Sequence, residues 1–272
     1  MIEPSESQRL DEHLIMLGRL ASSLSHEIRN PLAALFLLVD MLEEELGYPR
    51  ADSHAQMVQS LADVKEALSC MNELVQDYLS LARLADLRRE PADLGTVVEL
   101  FALEIHQQLA DRGITLHMEG VAALGRVALH HNAFHRLLGN LVQNAIDAMP
   151  QGGTLTLHGW REGTQAHLEV QDSGSGIPED QLSQLFVPFH TTKPDGTGLG
   201  LYVVQEVLAA HGGAIAVTST CGRGTTCTLT LPLMAAEATV SNGYGAERER
   251  SHPLKNQLLH NLLGRRLKRL QS

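Results

Sequence analysis

Leu14, Leu17, Ala21, Leu24, Ile28, Pro31, Leu35, Leu38 and Leu42 occupy the a and d positions of one unbroken heptad, and no other feature constrains the fold of this chain more. The spacing predicts a single long helix over 10–46. GYPRADS (47–53) then breaks it, with Gly47 as the stop and Asp52 or Ser53 capping a second helix. Leu61, Val64, Leu68, Met71, Val75, Tyr78 and Ala82 continue at heptad spacing. Two such helices joined by a short turn make an antiparallel hairpin. A lone hairpin leaves much of its apolar seam in water, and pairing two copies into a four-helix bundle covers it.

Beyond RREPADL (88–94), which reads as an interdomain linker, the pattern becomes mixed. Residues 93–112 read as a helix, GITLHME as a strand, and HNAFHRLLGNLVQNAIDAM as a strongly apolar helix ended by PQGG. TLTLHGW and QAHLEVQD alternate as a hairpin, TGLGLYVVQEVLAAHGG is a helix with a glycine stop, and AIAVTS and TTCTLTLPL close as strands. This order predicts an α/β sandwich with helices on one face of a mixed sheet. The expected division is an extension over 1–9, the helical hairpin over 10–88, the sandwich over 89–234 and a tail over 235–272.

With aromatics at 4% of 272 residues, the core must be built from aliphatic side chains. The net charge of −11 argues against nucleic acid as the main partner. From Glu247 onward there are seven Lys/Arg against two Glu, so the tail carries +5 and the remainder −16. Cys70, Cys221 and Cys227 show no CxxC spacing and read as reduced thiols. No apolar run reaches membrane-spanning length and MIEPSESQRLDEH is no signal peptide, so a cytoplasmic protein is expected.

Three short stretches carry chemistry. In LSHEIRNPLAAL, counting Ala21 as position a puts His26 at f, opposite the seam, with Asn30 four residues on along the same face and Glu27 beside it. An exposed imidazole titrating near ~6.5 is a usable nucleophile, and a neighbouring carboxylate can hold one ring nitrogen as N–H while the other attacks. Pro31 removes a backbone hydrogen bond and kinks the helix just beyond. DSGSGIP (172–178) and GTGLGL (196–201) bring glycines that let backbone N–H groups approach phosphate, and the second enters a helix N-terminus. Asp172 ends an apolar strand, where its carboxylate can accept from an exocyclic amine such as that of adenine. In NLVQNAIDAM, Asn140 and Asn144 share one helix face with Asp147 a turn on, and amide and triphosphate oxygens are ligands that Mg²⁺ prefers. Each stretch alone has a plain alternative: a solvated histidine, two flexible turns, a pair of surface amides.

Together and in order, the stretches resemble the two-component sensor histidine kinases over roughly residues 10 to 233. SHEIRNPL is similar to the phosphoacceptor box, NLVQNAIDAMP to the N box, DSGSGIP to the G1 box, LFVPFHTTK to the F box and GTGLGL to the G2 box. GTTCTLTLP resembles the closing strand, with Cys227 where an aromatic is common. The resemblance implies a dimeric phosphotransfer hairpin followed by a Bergerat-type ATP-binding domain. It makes His26 the phosphorylated residue, Glu27 its base, and Asn30 the residue positioning water when the response regulator is dephosphorylated. Asn144, helped by Asn140, would hold Mg²⁺ on the triphosphate, and Asp172 would read adenine. Gly174, Gly176, Gly196, Gly198 and Gly200 would shape the phosphate and lid loops. Lys193 would reach phosphate, and Phe186 and Phe189 would anchor the lid. The implied activity is ATP-dependent autophosphorylation and transfer to an aspartate of a receiver domain, with phosphatase activity alongside. An ATP-driven clamp and a non-catalytic adaptor are the competing readings.

Two features depart from the pattern. Only 25 residues precede His26, so the expected readings are a signal from a separate sensor protein docking on the bundle, an input from within the cell, or a truncated relative of the family. The tail over 247–272 places Leu254, Leu258, Leu259, Leu262, Leu263, Leu267 and Leu270 in an apolar stripe with Arg265, Arg266, Lys268 and Arg269 near its end. It reads as an amphipathic helix for an acidic membrane surface or a partner protein, as a segment folding back on the acidic body, or as a solvated tail.

Overall fold

The computed structural model describes residues 28–42, 53–82, 84, 88–193 and 196–235, with positions 18, 21, 24, 25 and 46 besides. The chain divides into two units, Met1–Ala235 and Ala236–Ser272. The tail and its expected helix lie outside the described residues.

Residues 28–42 form helix α1 and Ser53–Ala82 form α2. On α1 the predicted seam holds: Ile28, Pro31, Leu35, Leu38 and Leu42 are half-buried while Phe36 and Leu37 are exposed. On α2 half of it shifts. Val64, Met71 and Tyr78 are half-buried as predicted, but the residues beside them are Ser60, Ala67, Leu74 and Leu81. Leu61, Leu68 and Val75, expected in the seam, are 50%, 53% and 39% exposed. Both rows lie next to the d positions, and Leu, Val and Ala alternate between them. Heptad counting therefore cannot decide which row faces the chain's own core.

The expected linker is also more ordered than predicted. Glu90–Asp93 is a strand, β1, paired antiparallel with β3 (Arg126–Leu129), Pro91 lying opposite Ala128. Asp93 then caps α3 (Leu94–Asp111), its Oδ1 accepting from the Thr96 N–H at 2.8 Å.

The remaining strands form one five-stranded sheet in the order β2-β4-β5-β7-β6: β2 Ile114–Glu119, β4 Gly153–Glu162, β5 Gln165–Asp172, β6 Ala214–Thr220 and β7 Gly224–Pro232. Only β2 and β4 run parallel. Alternation along these strands turns Leu155, Leu157, Ala166, Leu168, Val170, Leu229 and Leu231 to one face, and all seven are buried. Helices α3, α4 (His131–Ala148) and α6 (Gly200–Ala210) cover that face. The short α5, Glu179–Leu182, lies in the connection before α6. A helical region followed by an α/β sandwich is thus the observed architecture.

Leu74 and Leu81 of α2 join the same apolar cluster as the sandwich core. Burying a leucine contributes roughly 2 kcal/mol, so α2 has a docking face toward the second domain. The heptad reading did not reveal that face.

Candidate active site

Helix α4 buries Phe134, Leu137, Leu138, Leu141, Val142, Ala145 and Ile146, at the three- and four-residue spacing of one helical face. Asn140, Asn144 and Asp147 fall along its edge, half-buried to exposed. Two contacts set α6 antiparallel beside it. At one end the His130 N–H donates to His211 Nε2 at 2.9 Å, and at the other Asn140 Nδ2 donates to the Gly200 carbonyl at 3.0 Å. The N-terminus of α6 is thereby brought against the second half of α4, where Asn144 lies. Leu199, at the cap position of α6, makes no side-chain cap hydrogen bond, so the end suits an anion.

The His211 tautomer follows from its partners. Nδ1 lies 2.6 Å from the Val207 carbonyl, which can only accept, so Nδ1 carries the proton and Nε2 receives the His130 N–H. Burial holds its pKa below the ordinary histidine value, with Arg89 and His130 pressing the same way. The ring is a neutral strut between α4 and α6.

Asp172, 8% exposed at the end of β5, accepts at Oδ1 from the Gly174 N–H at 2.8 Å and the Thr225 N–H at 3.3 Å. Burial pushes this carboxyl up from its ordinary range, while those two hydrogen bonds pull it back. Cys227 lies nearby on β7, its thiol pushed up to about 12 by burial and by the Asp172 charge. It behaves as a small apolar residue. The Asp172 carboxylate is fixed in direction by the turn that follows it.

That turn depends on its glycines. Gly176 has φ of 68° and a Cβ there would run into the Thr220 carbonyl; a Cβ on Gly174 would meet the Ala148 carbonyl. The loop ahead of α6 is anchored differently. Phe189 has φ of 62°, the only positive value of a non-glycine among the described residues. Its N–H donates to the Gly198 carbonyl at 3.0 Å, and Gly198 is itself left-handed at 65°. Holding a phenylalanine there costs on the order of 1–3 kcal/mol, which the half-buried ring and the Gly198 hydrogen bond offset. Phe189 and Gly198 form the base of a loop that carries the exposed Lys193 and the half-buried Gly196.

The Lys193 ammonium reaches back across this loop to α4, donating to Asn144 Oδ1 at 2.9 Å and Asp147 Oδ2 at 2.6 Å. A cation thus lies between an amide oxygen and a carboxylate, beside a helix N-terminus without a side-chain cap. This pairing of a cation seat with an anion seat is the geometry that decides the site.

The family model for the His Kinase A (phospho-acceptor) domain matches residues 16–86, and that for the histidine kinase-, DNA gyrase B- and HSP90-like ATPase matches 130–235. The chain is 35% identical over 233 residues to the sensor histidine kinase ZraS of Salmonella typhi, covering 85% of this chain and 49% of that protein. The chain belongs to the two-component sensor histidine kinases. It spans about half the length of the curated relatives it matches. Among solved structures, histidine kinase ShkA in complex with AMPPNP is similar at 26% identity and a TM-score of 0.56, over 80% of this chain and 46% of that one. Histidine kinase ThkA in complex with the response regulator protein TrrA shares the fold, with a TM-score of 0.63 at 22% identity, over 82% of this chain and 64% of that one.

For a histidine kinase the residues present fit a magnesium nucleotide. Asn144 Oδ1 and Asp147 Oδ2, which accept from the Lys193 ammonium, are oxygens of the kind Mg²⁺ prefers, and Asn144 would hold the ion there. An added Cβ on Gly200 would meet nothing closer than Asn140 at 3.7 Å, which leaves the mouth of α6 open to a phosphate.

Of the residues singled out in the sequence, Asn140, Asn144, Lys193, Gly196, Gly198 and Gly200 come together around α4, the lid loop and α6. Asp172, Gly174 and Gly176 form the turn after β5. Asn30 is exposed on α1. His26 and Glu27 lie outside the described residues. Sequence reading passed over His130 and His211, whose pairing spans 81 residues of chain, and the ion pair Asp77–Arg136. A signal for the latter was present: Asp77 falls three residues after Leu74 and four before Leu81, on the same face of α2 as two buried leucines.

No helix among the described residues is long and apolar enough to cross a membrane.

Proposed function

We propose that this chain is an ATP-dependent protein-histidine kinase that phosphorylates itself on His26 and passes the phosphoryl group to an aspartate of a response regulator receiver domain. The observation that carries the reading is the Lys193 ammonium seated on Asn144 and Asp147 beside the N-terminus of α6. Asn144, aided by Asn140, holds the metal, and Mg²⁺ when bound neutralises charge on the triphosphate and orients its γ-phosphate. Asp172 accepts the adenine amino group. Backbone N–H groups of Gly196, Gly198 and Gly200 approach the phosphates, and Lys193 turns from Asn144 to a phosphate oxygen.

The chemistry then belongs to the hairpin. One ring nitrogen of His26 attacks the γ-phosphorus, forming an N–P bond as the P–O bond to the β-phosphate breaks and ADP leaves with that electron pair. Glu27 takes the proton from the other ring nitrogen, so the phosphoimidazole is not left cationic. The N–P bond is labile, and a receiver aspartate is a suitable acceptor. Asn30, exposed on α1, directs water at the regulator's phosphoaspartate in the reverse, phosphatase sense.

Dimerisation is supported by the row of exposed Leu61, Leu68 and Val75 on α2, with Phe36 and Leu37 on α1, an apolar surface that a second copy would cover. The partners follow the same reading: a receiver domain, and a second copy of the chain.

Labelled ATP tests the proposal. Wild-type protein takes up acid-labile, base-stable label, and His26→Gln takes up none while binding nucleotide with nearly unchanged affinity. Label persisting on His26→Gln removes the assignment.

A further inference from the structure

The pair Asp77–Arg136 lies outside the nucleotide site yet is built into its support. Asp77 is 3% exposed on α2, between Leu74 and Leu81, the two leucines that join the sandwich core. Its Oδ1 accepts from Arg136 Nε at 3.0 Å and from Nη2 at 2.7 Å. Burial pushes the Asp77 carboxyl up, and the Arg136 charge opposes that shift. A buried ion pair is a poor way to gain stability, since desolvation of both charges offsets most of their attraction and apolar residues pack as well. At this spacing a third apolar side chain would have completed a plain docking face.

The ion pair adds direction to that face. Leucines let one helix slide on another, whereas a guanidinium fork on a single carboxylate oxygen sets both rotation and register. Arg136 lies one turn before Asn140 on α4. Asn140 donates to the Gly200 carbonyl at the start of α6, and it also helps Arg136 hold the Asp77 carboxyl down. A continuous set of contacts therefore runs from the second hairpin helix through α4 to the mouth of the phosphate site.

We propose that Asp77 and Arg136 are positioning residues for phosphoryl transfer: they set the pose of the ATP-binding domain on the hairpin, and Asn140 ties that pose to the nucleotide site. The proposal rests on the kinase reading above. Neither residue touches the reacting atoms. Their effect comes through distance, because an ångström of misplacement between phosphoryl donor and acceptor lowers a rate by about a hundredfold.

The test uses the full chain with Asp77→Asn, Arg136→Gln and the double variant, reading the autophosphorylation rate at saturating ATP and, separately, the affinity for a magnesium-bound ATP analogue. In each single variant the rate falls at least about tenfold while analogue affinity stays within about threefold, a loss confined to the transfer step. Retained affinity also shows that the ATP-binding domain is folded. The double variant, which leaves no unpaired charge, is no slower than the slower single, as members of one unit behave. An unchanged or faster rate in the single variants overturns the proposal, and so does a parallel loss of rate and affinity, which would mark a purely structural pair. A labelled wild type with unaffected variants sinks this proposal alone; a wild type that takes no label on His26 sinks the kinase reading with it.

Discussion

The Lys193 ammonium lies 2.9 Å from Asn144 Oδ1, so a lysine of the loop ahead of α6 reaches the very amide oxygen that the proposed function gives to the metal. The same side chain closes an ion pair with Asp147 at 2.6 Å, and both partners are substantially exposed. Lys193 is thereby tied to α4, and on the proposed reading a metal held by Asn144 would take its place.

Lys193→Met removes this clasp. An exposed pair of this kind is worth up to about 1 kcal/mol, so the amides of Thr191–Lys193 and Gly196–Gly198 exchange roughly fivefold faster in the nucleotide-free variant. Hydrogen exchange read by mass spectrometry checks this, and protection equal to wild type would show that the clasp does not hold the loop.

Asn144→Ala takes away the oxygen that Lys193 marks as a cation seat. Nucleotide affinity measured by calorimetry falls at least about tenfold in the presence of Mg²⁺ and little in its absence, because on the proposed reading the lost ligand is the metal's. Equal losses with and without Mg²⁺ would assign Asn144 to the nucleotide itself.

His211 makes folding depend on pH. Burial holds its pKa below the ordinary 6.5, so the unfolded chain takes up a proton where the folded one does not. The contribution is intact above about pH 6.5 and is lost as pH falls below it, at up to about 1.4 kcal/mol per unit until the folded pKa is reached. His211→Phe cannot accept the His130 N–H, and it lowers stability by about 1–3 kcal/mol at neutral pH. Urea melts from about pH 5 to about pH 8 should show a smaller acid-side loss in the variant than in the wild type; identical pH profiles would remove His211 from the titration.

How much of this was legible in the residues differs by element. The α1 seam, the sheet strands and α4 were readable because each needs only local periodicity: Ile28 to Leu42 at heptad spacing, Leu155 and Leu157 at alternation, Phe134 to Ile146 at helical spacing. The site motifs were readable for a related reason. Glycines at 174, 176 and 198 and amides at 140 and 144 are costly in a strand turn or an apolar helix unless a ligand or a tight backbone requires them. The strand at Glu90–Asp93 was not readable, since Pro91 and two acidic residues suggest a linker and only pairing with Arg126–Leu129 makes them a strand.

The order of the boxes and the helix and strand types were determined by the sequence alone, through local geometry and side-chain chemistry. Tertiary structure decided which row of α2 faces inward, that Lys193 reaches Asn144, that His211 joins His130, and that Asp77 meets Arg136. The last three depend on the relative placement of segments separated by 49 to 81 residues. Burial, charge and packing choose such partners only once the chain has closed on itself, and a pattern read along one helix contains no term for them.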